Sequence, residues 1–95
     1  MTLGLYSIFD SKVGYLSPTD FQSDVAAIRS LEAAVMRRTD TMFDTHPEDF
    51  SLFCIGSFDS ESGRLTSFDA PRFVESVVAI HQRVFNRKVG GDSVD

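Results

Sequence analysis

The chain of 95 residues has a mass of 10.6 kDa, which suits one domain with a single core and is too little for two. With 42% apolar residues and 24% charged ones, it is too apolar for a disordered or low-complexity chain. Its formal net charge of -5 is the wrong sign for a protein whose main partner is a phosphate backbone.

The apolar runs are short, and the only cysteine is Cys54. No run approaches the ~20 apolar residues of a membrane helix, and residues 1–6 lack the basic start of a signal peptide. A single cysteine excludes an intramolecular disulfide and a cysteine-based zinc site. We therefore expect a protein of the reducing cytoplasm with no membrane partner.

The first half of the chain predicts a β-hairpin followed by a helix. Residues 3–9 are prone to form a strand, residues 10–14 supply turn formers, and Tyr15 and Leu16 begin a return strand that Pro18 closes. Apolar residues then recur at helical spacing: Val25, Ile28, Leu31 and Val35. Either Ser23 or Asp24 suits the start of this helix, and its end is expected near Arg37 and Arg38.

The second half repeats the pattern after a loop at residues 39–49. A strand is predicted at residues 50–58, a turn at 59–63 and a return strand at 65–68. Asp69, Ala70 and Pro71 resemble a helix start, and Gly90 and Gly91 its stop. The predicted buried stripe of this helix contains Phe73, Val77, Ile80 and Val84.

The two halves are related, because residues 9–16 align without gaps on residues 58–65 through a shared pattern of Phe, Asp, Ser, Gly and Leu. The predicted fold is α+β: a duplicated β-β-α unit that forms a four-stranded antiparallel sheet with two helices on one face. We expect one domain at residues 1–89 and a flexible tail at 90–95. The shared pattern is interpreted as a hairpin turn, with a duplicated ligand site as the alternative.

Strict alternation predicts that both sheet faces are apolar. If Phe9 and Phe58 point the same way, one face carries them with Leu3, Leu5, Leu52 and Cys54. The opposite face then carries Tyr6, Ile8, Phe53 and Ile55. Two helices cover only one of these faces, so we expect a homodimer in which a second copy covers the other.

The inventory of chemically active groups does not predict an enzyme, a metal site or a cofactor. His46, Glu48 and Asp49 lie close in sequence, but their spacing matches no zinc or calcium motif, so a role in the loop is favoured. His81 lies on the second helix, and Cys54 lies within a strand. A metal-dependent enzyme built on His46, Glu48 and Asp49 stays a third alternative.

Nucleic acid binding is a better candidate, because aromatic rings on a sheet stack on unpaired bases while cations contact phosphates. The candidate aromatic residues are Tyr6, Phe9, Phe53 and Phe58, and the candidate cations are Arg37, Arg38, Arg83, Arg87 and Lys88. Core packing or a dimer contact is the alternative role for these rings, and helix-dipole complementarity and solubility are the alternative for these cations.

One long gapped motif, from Phe43 through His46-Pro-Glu-Asp-Phe50, Ile55-Gly and Phe58-Asp to Gly63, resembles the small non-structural protein of gokushovirus-like microviruses. The opening Tyr6-Ser-Ile-Phe-Asp10 resembles it also, so the similarity spans residues 5–65. The resemblance implies a protein that is made in the cytoplasm of the infected bacterium, is absent from the virion and acts in viral DNA replication, in single-stranded DNA synthesis or binding.

These observations give two hypotheses. The first is a phage non-structural accessory protein that supports viral DNA replication, through single-stranded DNA binding or contact with a host or phage replication protein. The alternative is an acidic protein-interaction module without direct DNA binding. A continuous basic stripe would favour nucleic acid, and scattered cations would favour a protein partner.

Overall fold

An antiparallel sheet of five strands packs against two helices. The structure is a computed structural model that describes residues 1–37, 43 and 45–93, with side chains through residue 86. The strands are β1 (Thr2–Asp10), β2 (Gly14–Tyr15), β3 (Thr19–Phe21), β4 (Phe50–Asp59) and β5 (Leu65–Ser76). The helices are α1 (Asp24–Arg37) and α2 (Val77–Ser93), and Pro47–Asp49 forms a 3-10 turn.

The structure supplies the strand order, which the duplication alone leaves open. The sheet runs β2-β1-β4-β5, with β3 also paired to β1, so the first strand of each half lies at the centre. This confirms the predicted α+β fold and its antiparallel sheet. The first return arm forms two short strands rather than one, because Pro18 lies between them and has no N–H for the ladder. Before this break, the Leu16 N–H still donates to the Ile8 carbonyl at 2.8 Å.

The repeated pattern forms the same aspartate side-chain hydrogen bond in both turns, although the hairpins differ in register, with Phe9 paired to Tyr15 and Phe58 paired to Leu65. Asp10 Oδ1 accepts the Lys12 N–H at 2.9 Å, and Asp59 Oδ1 accepts the Glu61 N–H at 3.1 Å. Both turns end at a glycine with positive φ, +116° at Gly14 and +75° at Gly63, where a side chain would be strained. The shared residues therefore have the predicted turn-forming role.

The strand β5 continues well past residue 68, where we expected its end, and the helix start predicted at Asp69–Pro71 is wrong. Between the pairs Gly56–Ser67 and Cys54–Arg72, residues 68–71 bulge out of the ladder, which accommodates Pro71 on an edge strand. Helix α2 begins only at Val77, where Ser76 Oγ accepts the Ala79 N–H at 3.1 Å.

The end of α2 also differs from the prediction. The helix runs through Gly90 and Gly91 to Ser93, so these glycines do not stop it. Residues 94 and 95 lie outside the described residues, and the division into a domain of 1–89 and a flexible tail of 90–95 stays a prediction.

A β-bulge at Ile55 changes the alternation along β4. Leu5 is paired with Gly56, whereas the next residue of β1, Tyr6, is paired with Cys54, so Ile55 is the extra residue. One extra residue moves all following side chains to the other face of a strand. The alternation of side chains between the two faces is therefore reversed in β4 on the two sides of Ile55.

The bulge corrects the predicted faces. The side toward the helices carries Tyr6, Ile8, Leu52 and Cys54, and the opposite side carries Leu3, Leu5, Phe9, Phe53 and Phe58. We call this second side the open face. Phe9 and Phe58 share a face, as the prediction assumed, but Leu52 and Cys54 do not join them, and Phe53 lies with Phe9 rather than with Tyr6.

The core lies between the sheet and the helices. Its helical part comes from three residues on each helix: Ala27, Leu31 and Val35 on α1, and Val77, Ile80 and Val84 on α2. Phe43 and Phe50 join it in edge contact, with ring centroids 5.0 Å apart. The predicted stripe of α2 is thus confirmed except for Phe73, which belongs to β5.

Candidate nucleic-acid interface

Four aromatic rings contact one another on the open face. Phe53 is central: its ring centroid lies 6.1 Å from Phe9, 5.6 Å from Tyr15 and 5.7 Å from Phe73. Phe9 and Tyr15 are also in contact, at 4.8 Å. Most of these contacts are edge-to-face, which is a favourable geometry for ring pairs. We call Phe9, Tyr15, Phe53 and Phe73 the ring cluster.

Strand pairing explains how the ring cluster forms. Phe53 is the cross-strand partner of Phe73 on β5, and Phe9 is the cross-strand partner of Tyr15 on β2. β1 and β4 are neighbours in the sheet, so the two pairs meet there. The four strands β1, β2, β4 and β5 thus contribute one ring each to a single aromatic surface.

The ring cluster is accessible from outside. Tyr15 is 47% exposed and Phe73 is 56% exposed, while Phe9 and Phe53 are half-buried between their neighbours. Large apolar groups gathered on one exposed surface mark an interaction site more often than scattered ones do. Ring edges and faces at this position are available for contact with another molecule.

The structure brings together two of the four predicted aromatic residues. Phe9 and Phe53 belong to the ring cluster, and Phe58 lies further along the open face opposite Leu3. Tyr6 does not join them: it is 4% exposed on the helix side, so its ring is not available to a base. Its assignment to a nucleic-acid surface is corrected, because the bulge at Ile55 places Tyr6 and Phe53 on opposite faces.

Sequence reasoning missed Tyr15 and Phe73. Tyr15 follows the first turn directly, so its pairing with Phe9 across that turn was a usable signal. The sequence pattern predicts Phe73 in a helix, because Pro71 resembles a helix start. No local signal opposes that interpretation, since the continuation of β5 depends on its pairing with β4.

Tyr6 instead forms a polar network with the start of α1. Its hydroxyl donates to Asp24 Oδ1 at 2.6 Å, and the Arg72 guanidinium donates to both carboxylate oxygens of Asp24, at 2.9 and 3.0 Å. The hydrogen bonds from Arg72 and Tyr6 lower the pKa of Asp24 to about 2. Burial and the bond to Asp24 raise the pKa of Tyr6 above its usual range. The network joins β1, α1 and β5.

This network predicts a loss of stability in acid. The pKa of Asp24 is lowered from 3.8 to about 2, so the ionised carboxylate stabilises the fold fully above pH 3.8. This stabilisation is lost as the pH falls to about 2. Asp24→Asn should lower the urea midpoint at neutral pH. The difference in urea midpoint between the variant and the wild type should shrink as the pH falls from 3.8 to about 2. A difference in urea midpoint that stays constant down to pH 2 would contradict the stabilising role of the ionised Asp24 carboxylate.

The two predicted cations whose side chains the structure describes, Arg37 and Arg83, do not line the ring cluster. Arg83 on α2 donates to Glu32 Oε2 at 2.9 Å and to Glu75 Oε2 at 3.4 Å. Arg37 is exposed at the last residue of α1, in the helical layer on the other side of the sheet from the rings. Arg38 lies outside the described residues, and α2 includes Arg87 and Lys88 without their side chains being described.

His46, Glu48 and Asp49 come close together at the 3-10 turn. Each offers a ligand atom, and these atoms lie within 4.8 Å of one another on an exposed or half-exposed surface. Exposed acidic groups often gather in this way without a metal. The turn is held to the first hairpin, because the Ser11 N–H donates to the Asp49 carbonyl at 2.9 Å. This contact agrees with a role in the loop.

On the helix side, a cavity of about 270 Å³ lies between α1 and the first hairpin. Its lining is mainly apolar and includes Ile8, Leu31 and Phe43, with the hydroxyls of Ser17 and Ser30. Such a lining suits an apolar group better than a phosphate. The open face therefore stays the better candidate for nucleic acid.

Comparison with known proteins places the chain in a family. Searches of curated proteins and of solved structures find no match. Within the described part of the chain, no helix combines the length and apolar character needed to cross a membrane. The sequence model of the family described as Phage ORF5 protein matches residues 3–80, which span the sheet except for the first residue of β1, together with α1 and the first turn of α2. The chain therefore belongs to the Phage ORF5 protein family.

Proposed function

We propose that this phage accessory protein supports viral DNA replication by holding single-stranded DNA on its ring cluster. The observation that carries the proposal is the exposed surface formed by Phe9, Tyr15, Phe53 and Phe73 on the open face. The resemblance of residues 5–65 to the microvirus protein supports the same role. In this proposal the phage has a single-stranded genome, and the protein acts in the host cytoplasm and is absent from the virion.

The physical basis is base stacking. An unpaired base exposes both of its π-faces, and stacking on an aromatic side chain contributes about 1–3 kcal/mol per base. In a duplex these faces are covered by neighbouring bases and are not accessible to a flat sheet surface. The ring cluster should therefore prefer single strands, with little dependence on base sequence.

Charge makes this a different site from a basic phosphate groove. Arg72 and Arg83 are held by carboxylates of Asp24, Glu32 and Glu75, and the net charge is -5. Few counterions are then released from DNA on binding, and the slope of log affinity against log salt reports their number. We expect a shallow slope, in contrast to the steep one of a basic binding protein.

The test is fluorescence anisotropy of a labelled single-stranded oligonucleotide at low and physiological salt, with a duplex of the same sequence as control. The proposal predicts binding to the single strand in both salts and weaker binding to the duplex. Equal binding to both forms with a steep loss in salt would indicate phosphate contacts instead. Flat curves with both nucleic acids would overturn the proposal.

A second candidate is a protein interface at the same place, because an exposed aromatic surface also suits a protein partner, and Arg72 and Arg83 are engaged by carboxylates. In its simplest form a second copy covers the open face. Light scattering at tens of micromolar would then give twice 10.6 kDa, and Phe73→Glu would return the mass to 10.6 kDa. A monomeric wild type would exclude this homodimer.

A further inference from the structure

We infer that the cavity between α1 and the first hairpin is a binding site for a neutral, mainly apolar small molecule that carries aromatic rings and a hydrogen-bonding group. The cavity lies on the helix side of the sheet, away from the ring cluster, so the inference does not rest on the proposed function. Protein interiors are close-packed and contain few voids larger than a water molecule. A cavity of about 270 Å³ far exceeds such a void and approaches the size of small-molecule sites.

The inner wall of the cavity is apolar and rich in aromatic rings. Ile8 of β1 and Leu52 of β4 line it from the sheet, and the buried Phe43 lines it as well. Tyr6 and Phe21 add two more rings, which meet edge to face with centroids 5.8 Å apart. Aromatic walls favour a ligand that presents ring faces and edges. Transfer of such a ligand from water to this wall is driven by the hydrophobic effect.

The mouth of the cavity carries hydroxyl groups. Ser17 precedes β3, Thr19 is the first residue of β3, Ser30 lies on α1, and all three residues are exposed. A hydroxyl both donates and accepts hydrogen bonds, so these groups suit a neutral polar group of either kind on the ligand. None of the described residues that line the cavity carries a charge, so an ionised ligand would lose hydration there without a countercharge.

Hydrogen bonds hold the walls of the cavity in place. The Leu16 N–H donates to the Ile8 carbonyl at 2.8 Å, and the Ser7 hydroxyl donates to the Leu16 carbonyl at 2.6 Å, which fixes the first return arm to β1. The Tyr6 hydroxyl donates to Asp24 Oδ1 at 2.6 Å, which joins β1 to the start of α1. Binding therefore does not have to order these segments, and a preformed site binds a given ligand more tightly.

The volume of the cavity sets the size of the ligand. An apolar cavity of about 150 Å³ holds one benzene molecule, so 270 Å³ accommodates about 11 non-hydrogen atoms. The probe 2-naphthol has this size, with two fused rings and one hydroxyl group, and is neutral at pH 7. The probe 2-naphthoate has the same rings with a carboxylate in place of the hydroxyl, so it tests the preference for a neutral ligand.

The experiment titrates the full chain with each probe and follows the methyl signals of Ile8, Leu31 and Leu52 by nuclear magnetic resonance. We expect saturable shifts of these signals with 2-naphthol, with a Kd of about 0.1–1 mM for a ligand of this size. We expect 2-naphthoate to bind at least about tenfold more weakly, because its charge is not compensated in the cavity.

A variant that fills the cavity provides the second arm. Ala34 lines the cavity from α1, so Ala34→Leu places a larger side chain in it and should weaken 2-naphthol binding at least about tenfold. Ala33→Leu is the matched control, because Ala33 is the neighbouring half-buried residue of α1 and is not part of the lining. If Ala34→Leu does not fold, the location of the wild-type shifts and the charge preference decide the question.

Four results would overturn the inference. They are no saturable shift at the solubility limit of 2-naphthol, equal affinity for 2-naphthoate, unchanged affinity in Ala34→Leu, and shifts confined to the ring cluster, which would place the probe on the open face. None of these results bears on single-stranded DNA binding, which the oligonucleotide titration tests separately.

Discussion

Replacing Phe53 and Phe73 with alanine should weaken single-stranded DNA binding by about tenfold to a hundredfold for each ring that stacks a base. Phe53 contacts the other three rings, so its removal should affect the whole ring cluster. Phe73 is more exposed, and its truncation removes one stacking surface with little loss of packing. The loss should be largest in the double variant.

The control for this prediction is Phe85→Ala. Phe85 is 50% exposed on α2, in the helical layer and not on the open face. Phe85→Ala removes the same type of side chain as Phe73→Ala from a similarly exposed position. A non-specific effect of losing apolar surface would therefore appear equally in both variants. Wild-type affinity in Phe85→Ala together with a tenfold loss in Phe73→Ala would support the ring cluster. Equal affinity in all three proteins would contradict it.

Ile80→Ala should destabilise the fold by about 2–5 kcal/mol. Ile80 is a residue of α2 whose side chain is fully buried in the core. Truncation of this side chain leaves a cavity in a close-packed interior. A domain of 95 residues has a free energy of unfolding of about 5–14 kcal/mol, so the variant loses a large part of its stability. Urea unfolding followed by circular dichroism measures this change.

Phe85→Ala serves as the control on the same helix, with an expected change within about 0.5 kcal/mol. If Ile80→Ala were as stable as Phe85→Ala, α2 would not pack on the helix side of the sheet in solution. The open face would then no longer be defined by the helices on its other side, and the argument for its exposure would fail.

The hairpins and α1 were predictable because their signals are local. Asp10 and Gly14 specify the first turn, Asp59 and Gly63 specify the second, and the apolar spacing of α1 is sustained over its length. The architecture followed from the repeat. The start of α2 was not predictable in this way, because the bulge at residues 68–71 lets β5 pass Pro71 by pairing with β4.

The composition of the candidate site was only partly predictable, since the face on which Phe53 and Tyr6 lie depends on one residue. Ile55 is extra in the pairing of β1 with β4, and this places Phe53 on the open face and Tyr6 in the core. Alternation in sequence cannot reveal a bulge that pairing creates. The partners of Arg72 and Arg83 are likewise distant in sequence, so their engagement by carboxylates appears only in the fold.

The most direct test of the central claim is to locate the contact on the protein by nuclear magnetic resonance. Labelled protein is titrated with an unlabelled single-stranded oligonucleotide, and the aromatic and amide signals are followed. We expect shifts at Phe9, Tyr15, Phe53 and Phe73 and along the strands that carry them, with α1 and α2 little changed. Shifts confined to the helices, or no shifts at saturating oligonucleotide, would contradict the claim that the ring cluster holds unpaired bases.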